Sequence, residues 1–418
     1  MDILLFIIGL FALIRNKLAS TITIIFVLCS TYLQLNIPDP HFTNAFFEHN
    51  VMDVGLILYI LFFLKVAFRY GINWRGSLQK TVTLFLLFLI INGGYDILHC
   101  GTSLGDVIRY LRLWMLLTIV YVAPRIPSCF TIRSFRQVGI ITVVVSSLVI
   151  FQLLTSIELI EFRRVAERGI KPPITAIIYG AFYILNYWKL SKLKTYTASA
   201  LCVIPILLSL KMTYAISVLL ITLVAIYFSK SIGSGKKVFY PIAILVVSIL
   251  FLTANNSFSE RFRTMYSETE TISSGEVSGN FSYRILHASE RFNYIIATPE
   301  TAIRGIGYVS ETNFSRSPFV LGVYNAERER VDQLDNGDIL WSNVFVRIGL
   351  LGVILYAWMF YKLTMTFYKG RKTYSTYDYW FSYLLISLIF TSLGNDTMGH
   401  GFFFLYPYLM IYSNTKAI

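Results

Sequence analysis

Two arginines seven residues apart, Arg284 and Arg291, stand in the stretch FSYRILHASERFNYIIA at 281–297. At ~100° per residue they fall almost one above the other on a helix, beside a stripe made of Phe281, Ile285, Phe292 and Ile296. A helix of this kind lying on a membrane surface aims two guanidinium groups along its boundary, and such forks match phosphate oxygens bidentately. Pro299 ends it, and Arg304, Gly305 and Gly307 follow in a turn where backbone can approach a ligand closely. A second basic cluster, Arg163, Arg164, Arg168 and Lys171, lies in ELIEFRRVAERGIKPPITA at 158–176. Arg109, Arg112 and Lys211 are placed to add to the same anion-attracting field. Two plainer readings stand beside this one. Interfacial arginines often meet lipid phosphates or snorkel, and Glu158, Glu161 and Glu167 could pair locally with the second cluster.

The candidate base lies further on, in RVDQLDNGDILWSNVFVRIGLLG at 330–352. Asp332, Asp335 and Asp338 invite a metal reading, but the alternating oxygen spacing of a calcium loop is absent. Asp338 instead sits where an Asn-Gly turn meets an apolar run, and Arg347 is nine residues on, roughly 13 Å deeper in a helix. An ionisable group at that depth in a membrane is expensive and therefore a functional candidate. Gly349 and Gly352 let another helix pack closely. His41, His49, His99, His287 and His400 are scattered and read as surface or helix-end residues. His287 is the exception, because it shares a helix with Arg284 and Arg291. Cys29, Cys100, Cys129 and Cys202 form no CxxC or metal-site spacing. No phosphate-loop or dinucleotide motif occurs, so ATP has no place to bind.

The elements that must position these residues are membrane spans. Of 418 residues 56% are hydrophobic and 14% charged, and 33 Phe with 28 Tyr exclude both a soluble globular enzyme and a disordered chain. Apolar runs predict an all-α polytopic fold of twelve or thirteen transmembrane helices, without an internal repeat. They cover approximately 2–14, 18–35, 51–68, 81–98, 106–123, 137–159, 173–188, 195–210, 212–228, 239–254, 339–361, 378–394 and 401–413. The first run lacks a small-residue cleavage site and is followed at once by another span, so a removable signal peptide is not expected. One set of loops carries Arg69, Arg75 and Lys80; Arg125, Arg133 and Arg136; Lys189, Lys192 and Lys194; and Lys362, Lys369, Arg371 and Lys372. Asp2 and Asp378 are the only acids near that face, which the positive-inside rule makes cytoplasmic. The net charge of +13 is thus a topological signal, and nucleic-acid binding loses its only support. Three regions result: helices over 1–254, a long extracytoplasmic loop with an amphipathic helix over 255–338, and C-terminal helices over 339–418.

Three stretches in this order resemble the bacterial O-antigen and capsular polysaccharide polymerase family, often called Wzy, and its relatives the O-antigen ligases. They are ERGIKPPITA, similar to the family's Arg-Gly preceding a Pro-containing helix start; SYRILHASERFNYIIATPETAIRGIGY, similar to its arginine-bearing outer helix and Gly-x-Gly turn; and NGDILWSNVFVRIGLLG, similar to its helix entry ending in Gly-Leu-Leu-Gly. The SLKMTYA turn stands where the family often has Ser-Arg. Ligases and many polymerases carry His at the entry position that is Asp338 here, which points away from a ligase.

The resemblance implies a lipid-donor (GT-C-like) glycosyltransferase fold in the bacterial inner membrane, with its active site on the periplasmic side. It implies an enzyme that joins undecaprenyl-diphosphate-linked oligosaccharide units, donor and acceptor both lipid-linked, with no cofactor, metal or nucleotide sugar. Arg164, Arg168, Arg284, Arg291 and Lys211 would contact the diphosphate, and Asp338 would be the catalytic base. Membrane lipid and a chain-length regulator are the implied partners, with no nucleic acid. Two alternatives remain open: a ligase moving finished glycan to another acceptor, and a non-catalytic flippase. A flippase predicts charged residues through several mid-spans, and the sequence offers chiefly Lys65, Arg109, Arg112 and Arg347.

Overall fold

The computed structural model describes residues 2–30, 51–155, 174–188, 191–208, 212–228, 279–309, 319–325, 329–334, 339–393 and 397–414, with isolated positions between 233 and 277. Among these the chain is almost entirely helical, as expected for an all-α fold. Each expected span meets a helix except 239–254, of which only Phe239 and Ile242 are described. Four of them, Ser77–His99, Leu104–Arg125, Ser128–Gln152 and Leu340–Gly370, are long and apolar enough to cross a membrane. Among the described residues six shorter apolar helices accompany them, including Leu18–Cys29 and Thr213–Phe228. Outward-facing Leu84, Leu87, Ile90, Ile91 and Leu98 on Ser77–His99 give that helix a lipid-compatible face. The protein is thus membrane-embedded.

Two compact units make up the chain. The first, Met1–Trp74 with Leu116–Ala215 and Phe404–Ile418, packs helices Leu18–Cys29, Ser128–Thr155 and Ile174–Tyr187 around aromatic rings. Phe135 stacks on Tyr183 at 4.4 Å, and Tyr406 meets Phe26 edge-on at 4.5 Å. Polar bonds between helices supplement this packing, because lipid tails supply no hydrophobic drive between helices. Thr23 Oγ1 donates to Gln137 Oε1 at 2.8 Å and lies 3.0 Å from Ser134 Oγ. Lys65, the cation left inside an expected span, donates from Nζ to the carbonyls of Leu13 and Ile14, capping the end of helix Asp2–Ile14.

The second unit is Arg75–Met115 with Ile216–Phe403. Its interior joins Phe85, Trp114 and Tyr356, the Phe85 and Trp114 rings meeting edge-on at 5.0 Å. Helices Ser77–His99 and Leu340–Gly370 run side by side here. Leu340–Gly370 is interrupted at Gly349, whose φ of 60° and ψ of −171° belong to a region open essentially to glycine alone. The interruption leaves the Val346 carbonyl available, and the Ile306 N–H bonds to it at 2.8 Å. A small antiparallel pair, Val323–Asn325 with Arg330–Asp332, was not expected from the sequence. It sets Asp332 opposite Val323.

Candidate functional site

The helix expected over 281–297 spans Asn280–Ile296. Its first residues are Asn280, Phe281 and Ser282, and Gly279 before them has no side chain to cap the exposed N–H groups. Glu268 supplies the cap: one carboxylate oxygen accepts from Phe281 N at 2.6 Å and Ser282 N at 3.2 Å. Thr298 begins the next short helix, Pro299–Arg304, its Oγ1 accepting from Thr301 N at 3.3 Å.

His287, Arg291 and Ile295, along one flank of the stripe, are buried, whereas Phe292 and Ile296 within it remain 38% and 46% exposed. Phe292 also meets the Phe345 ring edge-on at 5.4 Å, and the partly outward stripe suits a helix bordered by lipid.

Arg291 is 0% exposed. It donates to Glu290 and to the carbonyls of Leu321 and Gln333, the last at 2.9 Å, and its guanidinium lies 4.3 Å from the Phe319 ring centre. Phe319, Leu334 and Val346 pack together there, against Tyr294 and Ile306. Glu290 also accepts from Val320 N at 2.6 Å. The expected phosphate contact at Arg291 is thus replaced by a structural role: the side chain bonds Leu321 and Gln333 to the helix, its charge already answered by a carboxylate and two carbonyls. Arg284, on the same side of the helix, is half-buried.

Between the two arginines, His287 is 2% exposed and its Nδ1 lies 2.9 Å from Ser342 Oγ. Its Nε2 is buried without a hydrogen-bond partner among the described residues. Burial, and then the charge of Arg291, lower its pKa to about 3, so the imidazole is neutral at physiological pH. The bond to Ser342 fastens the Arg284 helix to the first turn of Leu340–Gly370.

A third group gathers where Ser77–His99 ends. Asp96, 0% exposed, accepts from Tyr308 N at 2.7 Å and from Arg304 Nη1 at 2.5 Å. Arg304 also bonds Glu300 at 3.2 Å, approaches Cys100 Sγ at 2.9 Å and stacks over Tyr95 at 4.5 Å. Burial alone would lower the Arg304 pKa, but Cys100, Asp96 and Glu300 outweigh it and the net direction is upward. Asn92 Nδ2 donates to the Arg304 carbonyl at 3.1 Å. Gly307, at φ 84°, allows this approach: a Cβ there would lie 2.3 Å from an Asp96 oxygen. Arg347, the deep cation, is 6% exposed and donates to the Val309 carbonyl. Its charge acts on Asp96 and Tyr110. Tyr110 in turn stacks on Tyr308 at 4.3 Å.

The carboxyl end of Ser77–His99 and the amino end of Leu340–Gly370 thus share one end of this unit. His287 stands between Arg284 and Arg291 on one helix, and Arg304 and Arg347 gather at Asp96. Asp338, Arg164, Arg168 and Lys211 lie outside the described residues. Arg109 pairs with Asp106 at 3.4 Å and is largely exposed. Sequence reasoning passed over Asp96, although it is the sole acid of an otherwise apolar span and was detectable on that ground. Glu268 and Ser342 carried no comparable signal. No protein-family model and no curated protein matches this chain.

Proposed function

We propose that this protein is a membrane glycosyltransferase that polymerises undecaprenyl-diphosphate-linked oligosaccharide repeat units on the outer face of the bacterial inner membrane. The observation that carries the proposal is the 2.9 Å contact between His287 and Ser342. It holds the helix of Arg284 against the residues that directly follow Asp338, which stands four positions before Ser342 in the chain. A cation for a leaving diphosphate thus stands on a helix bonded to the one that begins two residues after Asp338 in the chain.

The chemistry asks for little more. Transfer with inversion breaks the bond from the anomeric carbon to the diphosphate and forms one to the acceptor oxygen. Growing negative charge on the diphosphate is met by Arg284, with Arg164, Arg168 and Lys211 as further cations, in place of a metal. Asp338 takes the acceptor's proton, a step typically contributing 10²- to 10⁴-fold. Arg291, Asp96 and Arg304 serve by holding the loop rather than by touching substrate.

Purified protein mixed with a lipid-diphosphate oligosaccharide, without metal or nucleotide, should give a ladder of glycan lengths on a gel. Asp338→Asn, Arg284→Ala and Arg168→Ala should insert correctly and yield only single units. Long chains from all three variants would overturn the reading, and long lipid-linked polymer accumulating in a strain lacking the protein would replace it with a ligase.

A further inference from the structure

A cavity of about 370 Å³ in the second unit is lined by Tyr227, Phe228, Lys237, Arg371 and Lys372. It sits beside the end of Leu340–Gly370. Phe228 lies on Met212–Phe228, and Arg371 directly follows Leu340–Gly370, its N–H bonded to Phe367 O at 2.9 Å. Among the described residues its lining holds three cations and no acid.

The Arg371 guanidinium is clasped by rings, 4.2 Å from the centre of Phe228, 4.1 Å from Tyr368 and 5.6 Å from Phe381. Aromatic faces bind a guanidinium through its plane and leave its N–H edge free to meet an acceptor. No carboxylate pairs with Arg371 among the described residues. The arrangement differs from a mobile surface arginine, because the fork is fixed in direction before any ligand arrives. The end of Leu340–Gly370 contributes roughly half a negative charge. Arg371 and Lys237 alone outweigh that, so the described lining is net positive. A planar fork with two ammonium groups beside it suits phosphate oxygens.

The location narrows the source. Leu340–Gly370 is long and apolar enough to cross a membrane, so its end lies at the boundary where lipid head groups lie. Tyr227, 66% exposed at the rim, is the residue type enriched at that boundary. We propose that this cavity binds a phosphate anion, supplied by the head group of an anionic phospholipid. The site is separate from the Asp96 and His287 groups and does not depend on the glycosyltransferase reading.

The test uses the full chain in phosphatidylcholine nanodiscs containing increasing phosphatidylglycerol, with bound lipid counted by native mass spectrometry after release. Wild type should retain phosphatidylglycerol in preference to phosphatidylcholine, and Lys237→Gln, Arg371→Gln and Lys372→Gln should each weaken this by about fivefold. Arg371→Lys keeps charge without the fork and should fall between wild type and Arg371→Gln. A parallel arm in pure phosphatidylcholine adds inorganic phosphate: melting of wild type but not Lys237→Gln raised by phosphate, with no lipid preference, keeps the anion site and makes a soluble phosphate its ligand. Melting in pure phosphatidylcholine checks folding, and Lys237→Gln alone carries the test if the Arg371 variants do not fold. Equal retention of both lipids with no phosphate effect, or a preference unchanged in the foldable variants, overturns the proposal.

Discussion

Asp96→Asn tests how the 299–309 turn is held to the membrane helices. The native carboxylate is 0% exposed and takes two donors, Tyr308 N at 2.7 Å and Arg304 Nη1 at 2.5 Å. Removing one partner of a buried ion pair costs about 3–5 kcal/mol when the other is stranded. Arg304 is not fully stranded, since its side chain is 15% exposed and Glu300 lies 3.2 Å away. The asparagine oxygen can still accept from Tyr308, so what disappears is one charge-assisted bond, worth about 1.5–3 kcal/mol. A loss of about 2–3 kcal/mol makes local opening roughly 30- to 150-fold more frequent. Hydrogen exchange in detergent should therefore quicken by that factor for amides of 299–309 while those of 353–367 stay protected. Arg304→Gln should do nearly the same, and the double variant should add little to either single change, leaving a coupling of about 2 kcal/mol. Wild-type exchange of the turn in Asp96→Asn, or strictly additive effects, would show that this pair does not hold it.

His287 titrates in the folded protein near 3 instead of 6.5. A base whose folded pKa is depressed contributes its stability above the unfolded value and loses it as pH falls from 6.5 toward 3. Wild type should therefore lose about 2 kcal/mol between pH 7 and pH 5 from this residue, and melting of His287→Gln over the same interval should be flatter by that amount. Gly349→Ala forces a side chain into φ 60° and sets its Cβ 2.5 Å from Gly305 N, so it should lose about 2–4 kcal/mol. Gly94→Ala, in the helix Ser77–His99 with nothing within 4 Å of its Cβ, should be neutral or gain up to about 1 kcal/mol; equal melting temperatures for the two variants would discount the close crossing at Gly349.

What the sequence disclosed follows from what its periodicities encode. Apolar runs mark helices because lipid demands internal backbone bonding, and helices indeed stand over 51–70, 77–99 and 340–370. The 280–296 helix was legible as a helix, but not the burial of His287 and Arg291 beside its stripe, since a stripe at 3.6-residue spacing does not say which flank meets protein. Arg291 looked like a ligand contact because its partners, the carbonyls of Leu321 and Gln333, are backbone groups without a residue signature and arrive from 30 or more positions away. The pair at 323–332 escaped because three-residue strands carry too little alternation to register. Asp96 was legible, as an acid inside an apolar span, and its role depends on Arg304 and Gly307, which the sequence reading had marked for a different reason. That substitution of roles has a physical logic. Phosphoryl and glycosyl leaving groups are stabilised only by cations held in place before charge develops, and a long loop between spans has too much conformational entropy to hold them unaided. Arg291 answers a carboxylate and carbonyls from the helix that carries Arg284, and Arg304 and Arg347 hold the turn that follows it. In such a loop most arginines must serve the scaffold for any one of them to be positioned for chemistry.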